Sequence, residues 1–180
     1  MQSKEIILSK QLLITGDIRT PDSLIDNDKI SESLKKDLEK TTFDVVNKNY
    51  DIPLTYHGQH SWIFDLIKEQ IRAYQHIDFV NKNSWANVET FNEISVTRNN
   101  LDIQNFNEQP KYTLIYILQA GDNSGELILK YKQPNQKTYI HTCHVQQGNF
   151  YLFNSNIDYY FAKNLDKKDR EYITWTCFER

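Results

Sequence analysis

Residues 148–175, GNFYLFNSNIDYYFAKNLDKKDREYITW, decide the fold of this chain. They read as three short strands built from aromatic and β-branched residues, NFYLFN, DYYFAKN and REYITW, joined by polar turns. A single arginine, Arg170, opens the last strand. No helical run separates the three, so a doubly wound parallel sheet is disfavoured.

The same texture continues upstream. SWANVETFNEISVTRN (84–99), KYTLIYILQ (111–119), SGELILKYK (124–132) and KTYIHTCHV (137–145) are further strand candidates, spaced by Asn, Gly, Gln and Lys turns. The first 80 residues read differently. EIILSKQLLITG (5–16) is a strand or hairpin ending at Gly16. Ile30, Leu34 and Leu38 recur at helical spacing, with Asp28 as the expected N-cap. Residues 50–60, YDIPLTYHGQH, read as a loop. A second helix follows with Ser61 as the expected cap and Ile63, Leu66, Ile67, Ile71 and Tyr74 on one face. Helices first and about eight short strands after them predict a mainly β, two-sheet sandwich with N-terminal helices packed on one sheet. The expected organisation is one domain over 1–180, with a strand and two helices in 1–80 and the β core in 81–180.

Composition bounds the function. Hydrophobic residues make up 39% and aromatics 13%, enough for a packed core, and a net charge of −3 gives no basic field for nucleic acid. No apolar run approaches the roughly 20 residues of a membrane helix. The N-terminus MQSKEIILSK lacks the apolar core of a signal peptide, so a cytoplasmic or virion setting is expected rather than secretion. The two cysteines, Cys143 and Cys177, read as reduced core thiols.

The chemically suggestive clusters are weak by geometry. His141 and His144 lie three apart on an expected strand, where alternation sends them to opposite faces. Cys143 and His144 are adjacent and diverge for the same reason. His57 and His60 share a loop with Gly58, where chelation is sterically open, but no acid or thiol lies near them in sequence. Glu126 in SGEL reads as a turn or strand residue, and no phosphate loop, Cys-x-x-Cys pair or nucleophile elbow is present. Arg170 has two readings. It is either a planar clamp for an organic anion or a strand-start arginine paired with Asp158 or Asp169.

The order of Trp85-Ala86-Asn87, Tyr112–Leu118, Ser124-Gly125-Glu126-Leu127, Gly148 to Phe153-Asn154-Ser155, and Arg170 resembles the iron(II)/2-oxoglutarate-dependent oxygenases. Within them it is similar to the subgroup common in tailed phages of marine cyanobacteria. The resemblance implies a double-stranded β-helix, a jelly-roll or cupin-like sandwich. It also implies iron(II) held by two histidines and one carboxylate, with positions left open for 2-oxoglutarate and dioxygen. The arginine opening the last strand would pair with the far carboxylate of 2-oxoglutarate, and Arg170 matches it. The His-x-Asp position falls on Asn100-Leu101-Asp102 and the second histidine position on Tyr159. The five histidines are at 57, 60, 76, 141 and 144, so any register leaves both positions without imidazole. Asn offers only a weak carbonyl oxygen, and a phenol must lose a proton of reference pKa about 10 before it binds metal well.

The expectation is therefore an oxygenase-like protein that has lost iron binding. It would act as a binding or structural module in a phage or virus assembly, through protein partners or self-association and without a cofactor. The alternative is a divergent oxygenase that uses iron(II) and 2-oxoglutarate with Asp102, Asp158 or Tyr159 and Arg170.

Overall fold

The computed structural model describes residues 3–8, 11–18, 26–40, 50–53, 59–93, 95, 97–99, 109–132 and 137–180. In chain order the described elements are β1 (Ser3–Leu8), β2 (Gln11–Asp17), α1 (Asn27–Lys40), β3 (Tyr50–Pro53), α2 (Gln59–Gln75), β4 (Phe79–Glu89), β5 (Tyr112–Gln119), β6 (Glu126–Lys132), β7 (Thr138–His144), β8 (Asn149–Asn154), β9 (Asp158–Phe161) and β10 (Arg170–Glu179). The chain is mainly β, as expected, with every strand pair antiparallel.

Seven strands form one sheet in the order β1-β2-β8-β5-β10-β4-β3, and three form a second in the order β7-β6-β9. The N-terminal strands are part of the main sheet, since β2 pairs with β8 and β3 with β4. Residues 50–53, expected as loop, are a strand. Tyr50, Asp51, Ile52 and Pro53 follow the register of β4, with Pro53 at the end of an edge strand where its missing N–H is tolerated. Strand β4 begins at Phe79 rather than Ser84, because the polar run Val80–Asn83 pairs with the far end of β10. It ends at Glu89.

Strand alternation divides the buried side chains into two cores. On one face of the large sheet, Leu114, Tyr116, Leu152, Ile173 and Trp175 meet Ile63, Phe64, Ile67 and Ile71 of α2 and Ile30 of α1. On the other face, Leu13, Ile115, Ile117, Phe153 and Tyr172 meet Leu127, Leu129, Cys143 and Phe161 of the small sheet. The helices therefore cover one face of the large sheet, as the sequence predicts.

The helix ends differ from the sequence expectation at Asp28, Ser61 and Tyr74. The first helix is capped by Asp26, whose Oδ1 accepts from the Lys29 N–H at 3.0 Å, while Asp28 lies within the first turn. Ser61 likewise lies inside α2, which starts at Gln59. Tyr74 is 65% exposed although its angular position is that of Ile63. Arg72–Tyr74 are all exposed, so the last turn of α2 runs past the core that covers Ile71. No helix among the described residues is long and apolar enough to cross a membrane.

Candidate functional site: a buried ion-pair cluster where the last strand begins

Arg170 opens β10, as the sequence suggests, and is fully buried on the face that looks toward the small sheet. Its cross-strand neighbour on β4 is Glu89, also buried. Arg170 Nε donates to Glu89 Oε2 at 2.8 Å, and Nη2 donates to the same oxygen. Tyr172, two residues on and on the same face, donates its hydroxyl to Glu89 Oε1 at 2.8 Å. The remaining guanidinium nitrogen, Nη1, donates to the carbonyls of Ser124 and Ala162, the latter at 2.8 Å. The guanidinium carbon stands 4.6 Å from the centroid of the Phe161 ring, which in turn packs 4.4 Å from the Tyr172 ring.

The local chain is shaped to allow this. Ser124 precedes β6 and Ala162 follows β9, so one guanidinium of the large sheet ties down two loops of the small one. Gly125 makes the approach possible. Its φ is +79°, and an added Cβ would stand 2.8 Å from the carbonyl oxygens of both Ala162 and Lys163. Asn164, fully buried, fastens the loop that leads to Arg170. Its Nδ2 donates to the carbonyls of Glu89 (3.2 Å) and Lys168 (3.1 Å).

Burial raises the Glu89 carboxyl above its ordinary range, against the opposing pull of Arg170, the Tyr172 hydroxyl and Arg98. Burial, and then the Glu89 charge, hold the Tyr172 phenol well above its own range, so it serves as a neutral donor. Both carboxylate oxygens of Glu89 are occupied, and Arg170, Glu89 and Tyr172 are all buried. The arrangement recognises a carboxylate by a planar fork and a phenol donor, and the carboxylate it holds is its own.

Tyr159 is on β9 and is 1% exposed. Its ring packs edge-on to Phe153 at 5.4 Å, and its backbone exchanges hydrogen bonds with Arg98 at 2.8 and 2.9 Å. Asn100 and Asp102 lie outside the described residues, as does His57. His60 is buried in the first turn of α2 rather than in a loop. His141 and His144 fall on opposite faces of β7, as do Cys143 and His144, and Glu126 is the exposed first residue of β6. The two cysteines are buried and unpaired, one in each sheet. Neither Asp158 nor Asp169 carries the Arg170 pairing. The Asp158 carboxylate accepts from Asn99 at 2.8 Å, and the Asp169 carbonyl accepts from Gln119 at 3.0 Å. A surface cleft of about 290 Å3, lined by Lys130, Lys132, Asp158 and Asn99 among others, does not reach Arg170.

Glu89, Tyr172 and Arg98 are absent from the reading of the sequence. A signal for Glu89 was there, because opposite charges at the start of one strand and the end of another suit a cross-strand pair. Its register with Arg170, however, depends on β4 and β10 being neighbours, which needs the fold.

Of the expected iron(II) and 2-oxoglutarate site, the described residues include Asp158, Tyr159 and Arg170 but neither Asn100 nor Asp102. The arginine that would clamp the co-substrate has all three of its nitrogens engaged, by Glu89 and two carbonyls, and the position expected for a ligand histidine is a buried phenol. Among the described residues no three His, Cys, Asp or Glu side chains converge in a way that could hold a metal ion.

No family model and no curated protein matches the chain. Solved structures do. A prolyl-4-hydroxylase from Pseudomonas putida is similar at a TM-score of 0.62 with 12% identity, over 93% of this chain and 92% of that one. The non-heme α-ketoglutarate-dependent carbocyclase SnoK from nogalamycin biosynthesis is similar at 0.71 with 8% identity, over 93% and 79%. HygX from Streptomyces hygroscopicus, solved with nickel and 2-oxoglutarate bound, is similar at 0.61 with 9% identity, over 93% and 82%. Identities this low speak for architecture alone, and in architecture this chain has the double-stranded β-helix fold of the 2-oxoglutarate/iron(II) oxygenases.

Proposed function

We propose that this chain is a non-catalytic protein on the oxygenase fold, working as a binding or structural module, with a phage or virus assembly as its setting. The observation that carries the reading is the pairing of Arg170 with Glu89, whose other oxygen accepts from Tyr172, because it occupies the side chain a co-substrate would need. The histidine-free run from 77 to 140 and the phenol at Tyr159 support it. A core cluster of this kind ties the two sheets together, which suits a module whose work is done on its outside. That outside offers the sheet edges at β7 and β3 and separate apolar side chains at Trp62, Phe91, Ile140 and Leu165 for protein contacts or self-association.

The deciding experiment is metal analysis of protein purified without oxygen in the presence of iron(II), together with an assay for succinate release from 2-oxoglutarate. The expected result is no stoichiometric iron and no succinate. Iron-dependent succinate release that Asp102→Ala abolishes would establish the divergent oxygenase instead.

A further inference from the structure

We infer that Arg170, Tyr172 and the carbonyl anchors around them form a complete carboxylate-binding socket that the chain plugs with its own Glu89, and that removing the plug opens a site selective for a two-carbon monocarboxylate. The inference rests on the reading that Arg170 serves Glu89 and not an external co-substrate.

The socket does not depend on Glu89 for its shape. Nη1 of Arg170 is held by the carbonyls of Ser124 and Ala162, and the guanidinium plane is backed by Phe161. Nε and Nη2 remain as a pair of donors aimed at one oxygen, and the Tyr172 hydroxyl supplies a third donor for the other. Three donors converging on one carboxylate in a dry site make a pre-organised anion receptor, because the donors lose little freedom when the anion binds. The size of the guest follows from the chain. Glu89→Ala keeps Cα and Cβ and deletes Cγ and the carboxylate, and the deleted fragment is acetate. The space vacated is no larger than that fragment, because the Phe161 and Tyr172 rings pack on each other beside it and Arg170, Tyr172 and Phe161 are all buried. The five-carbon chain of 2-oxoglutarate exceeds that space.

The test compares the melting temperatures of wild type, Glu89→Ala and Glu89→Ala/Arg170→Met. Each is measured with sodium acetate, with acetamide as the neutral isostere, with sodium chloride at matched ionic strength, and with 2-oxoglutarate. Glu89→Ala is expected to gain about 4 °C when acetate reaches about ten times its dissociation constant. It should gain nothing comparable from acetamide, chloride or 2-oxoglutarate. Wild type and the double variant should respond to acetate no more than to chloride. An equal response of Glu89→Ala to acetamide or chloride overturns the inference, as does an acetate response that survives Arg170→Met. If Glu89→Ala does not fold alone, refolding yield replaces melting temperature. Recovery with acetate then supports the socket, and no recovery while the double variant folds overturns it. A wild-type shift with 2-oxoglutarate would sink the functional reading instead, and it is read in a different protein from the acetate response.

Discussion

The two faces of the large sheet are buried by different chemistry. Toward the helices the core is apolar and aromatic, with Phe64 packed 5.7 Å from both Phe79 and Trp175. Toward the small sheet the same strands enclose an ion pair, a phenol donor and two captured carbonyls at the end where β10 begins. The helix side is held by area removed from water, a term that is non-directional and tolerant of repacking. The inter-sheet side is held there by a network in which each member satisfies another, so taking one member away costs in proportion to the partner left buried and unsatisfied.

The sharpest way to expose that difference is Arg170→Ala. It leaves the Glu89 carboxylate buried with its main partner gone, and is expected to cost about 3–5 kcal/mol. Replacing both charges by apolar residues of similar size, as in Glu89→Leu/Arg170→Met, should return stability to within about 1 kcal/mol of wild type, because the desolvation penalty of both ions disappears together. Chemical denaturation of the two variants checks this. A double variant as unstable as the single would show that the carbonyl tethers, not the charges, hold this end.

Leu114→Ala is the counterpart on the helix side. Leu114 is fully buried between β8 and β10, and its loss should cost about 3 kcal/mol by transfer and cavity terms together. No second substitution at a distance should restore it, because there is no partner whose charge has been stranded. Recovery by a distant apolar replacement would erase the distinction between the two cores.

How much of this was legible in the sequence follows the same division. β5, β6, β8 and β10 show themselves as runs of β-branched and aromatic residues bounded by turn residues, since their burial depends on local alternation. The helix stripe Ile63, Ile67, Ile71 is legible for the same reason. The failures are non-local. Tyr50–Pro53 looks like loop because its strand character comes only from pairing with β4. Val80–Asn83 looks too polar for a strand until the far end of β10 is laid beside it. Arg170 stands out as a candidate anion clamp from its place in the strand order, but its anion, Glu89, is 81 residues away. No local pattern marks a carboxylate as the partner of a distant arginine.

Tyr172→Phe is a gentler probe of the network. It removes the donor to Glu89 Oε1 and keeps the ring that packs on Phe161. A hydrogen bond to a charged group contributes about 1.5–3 kcal/mol, and the loss should fall at the low end of that range because the Arg170 pairing persists. In the background of Glu89→Leu/Arg170→Met the same change should cost nearly nothing, since the acceptor is gone. A double-mutant cycle on denaturation midpoints measures the coupling, and a coupling near zero would mean that Tyr172 acts by packing alone.

The smallest effect separates the cores by their thiols. Cys143 lies between the sheets, and burial, then the Glu126 charge, push its thiol up to about 12. Cys177 lies on the helix side, where burial holds its thiol well above the ordinary range. An acid whose folded pKa is raised keeps its proton in the native state after the unfolded chain has released it. The native state therefore binds more protons than the unfolded state above the thiol reference value of 9.0, and stability falls as pH rises from there toward 12. At pH 8 both thiols should resist iodoacetamide in the native protein and react on unfolding. Cys143→Ala should flatten the alkaline loss of stability while changing little at neutral pH. The loss that remains belongs to Cys177 and to buried phenols such as Tyr172, whose raised values act with the same sign. Rapid labelling of Cys143 alone at pH 8 would show that the small sheet opens while the helix side stays closed. The ion-pair cluster would then have to be assigned to holding one end of the sandwich and not the whole of it.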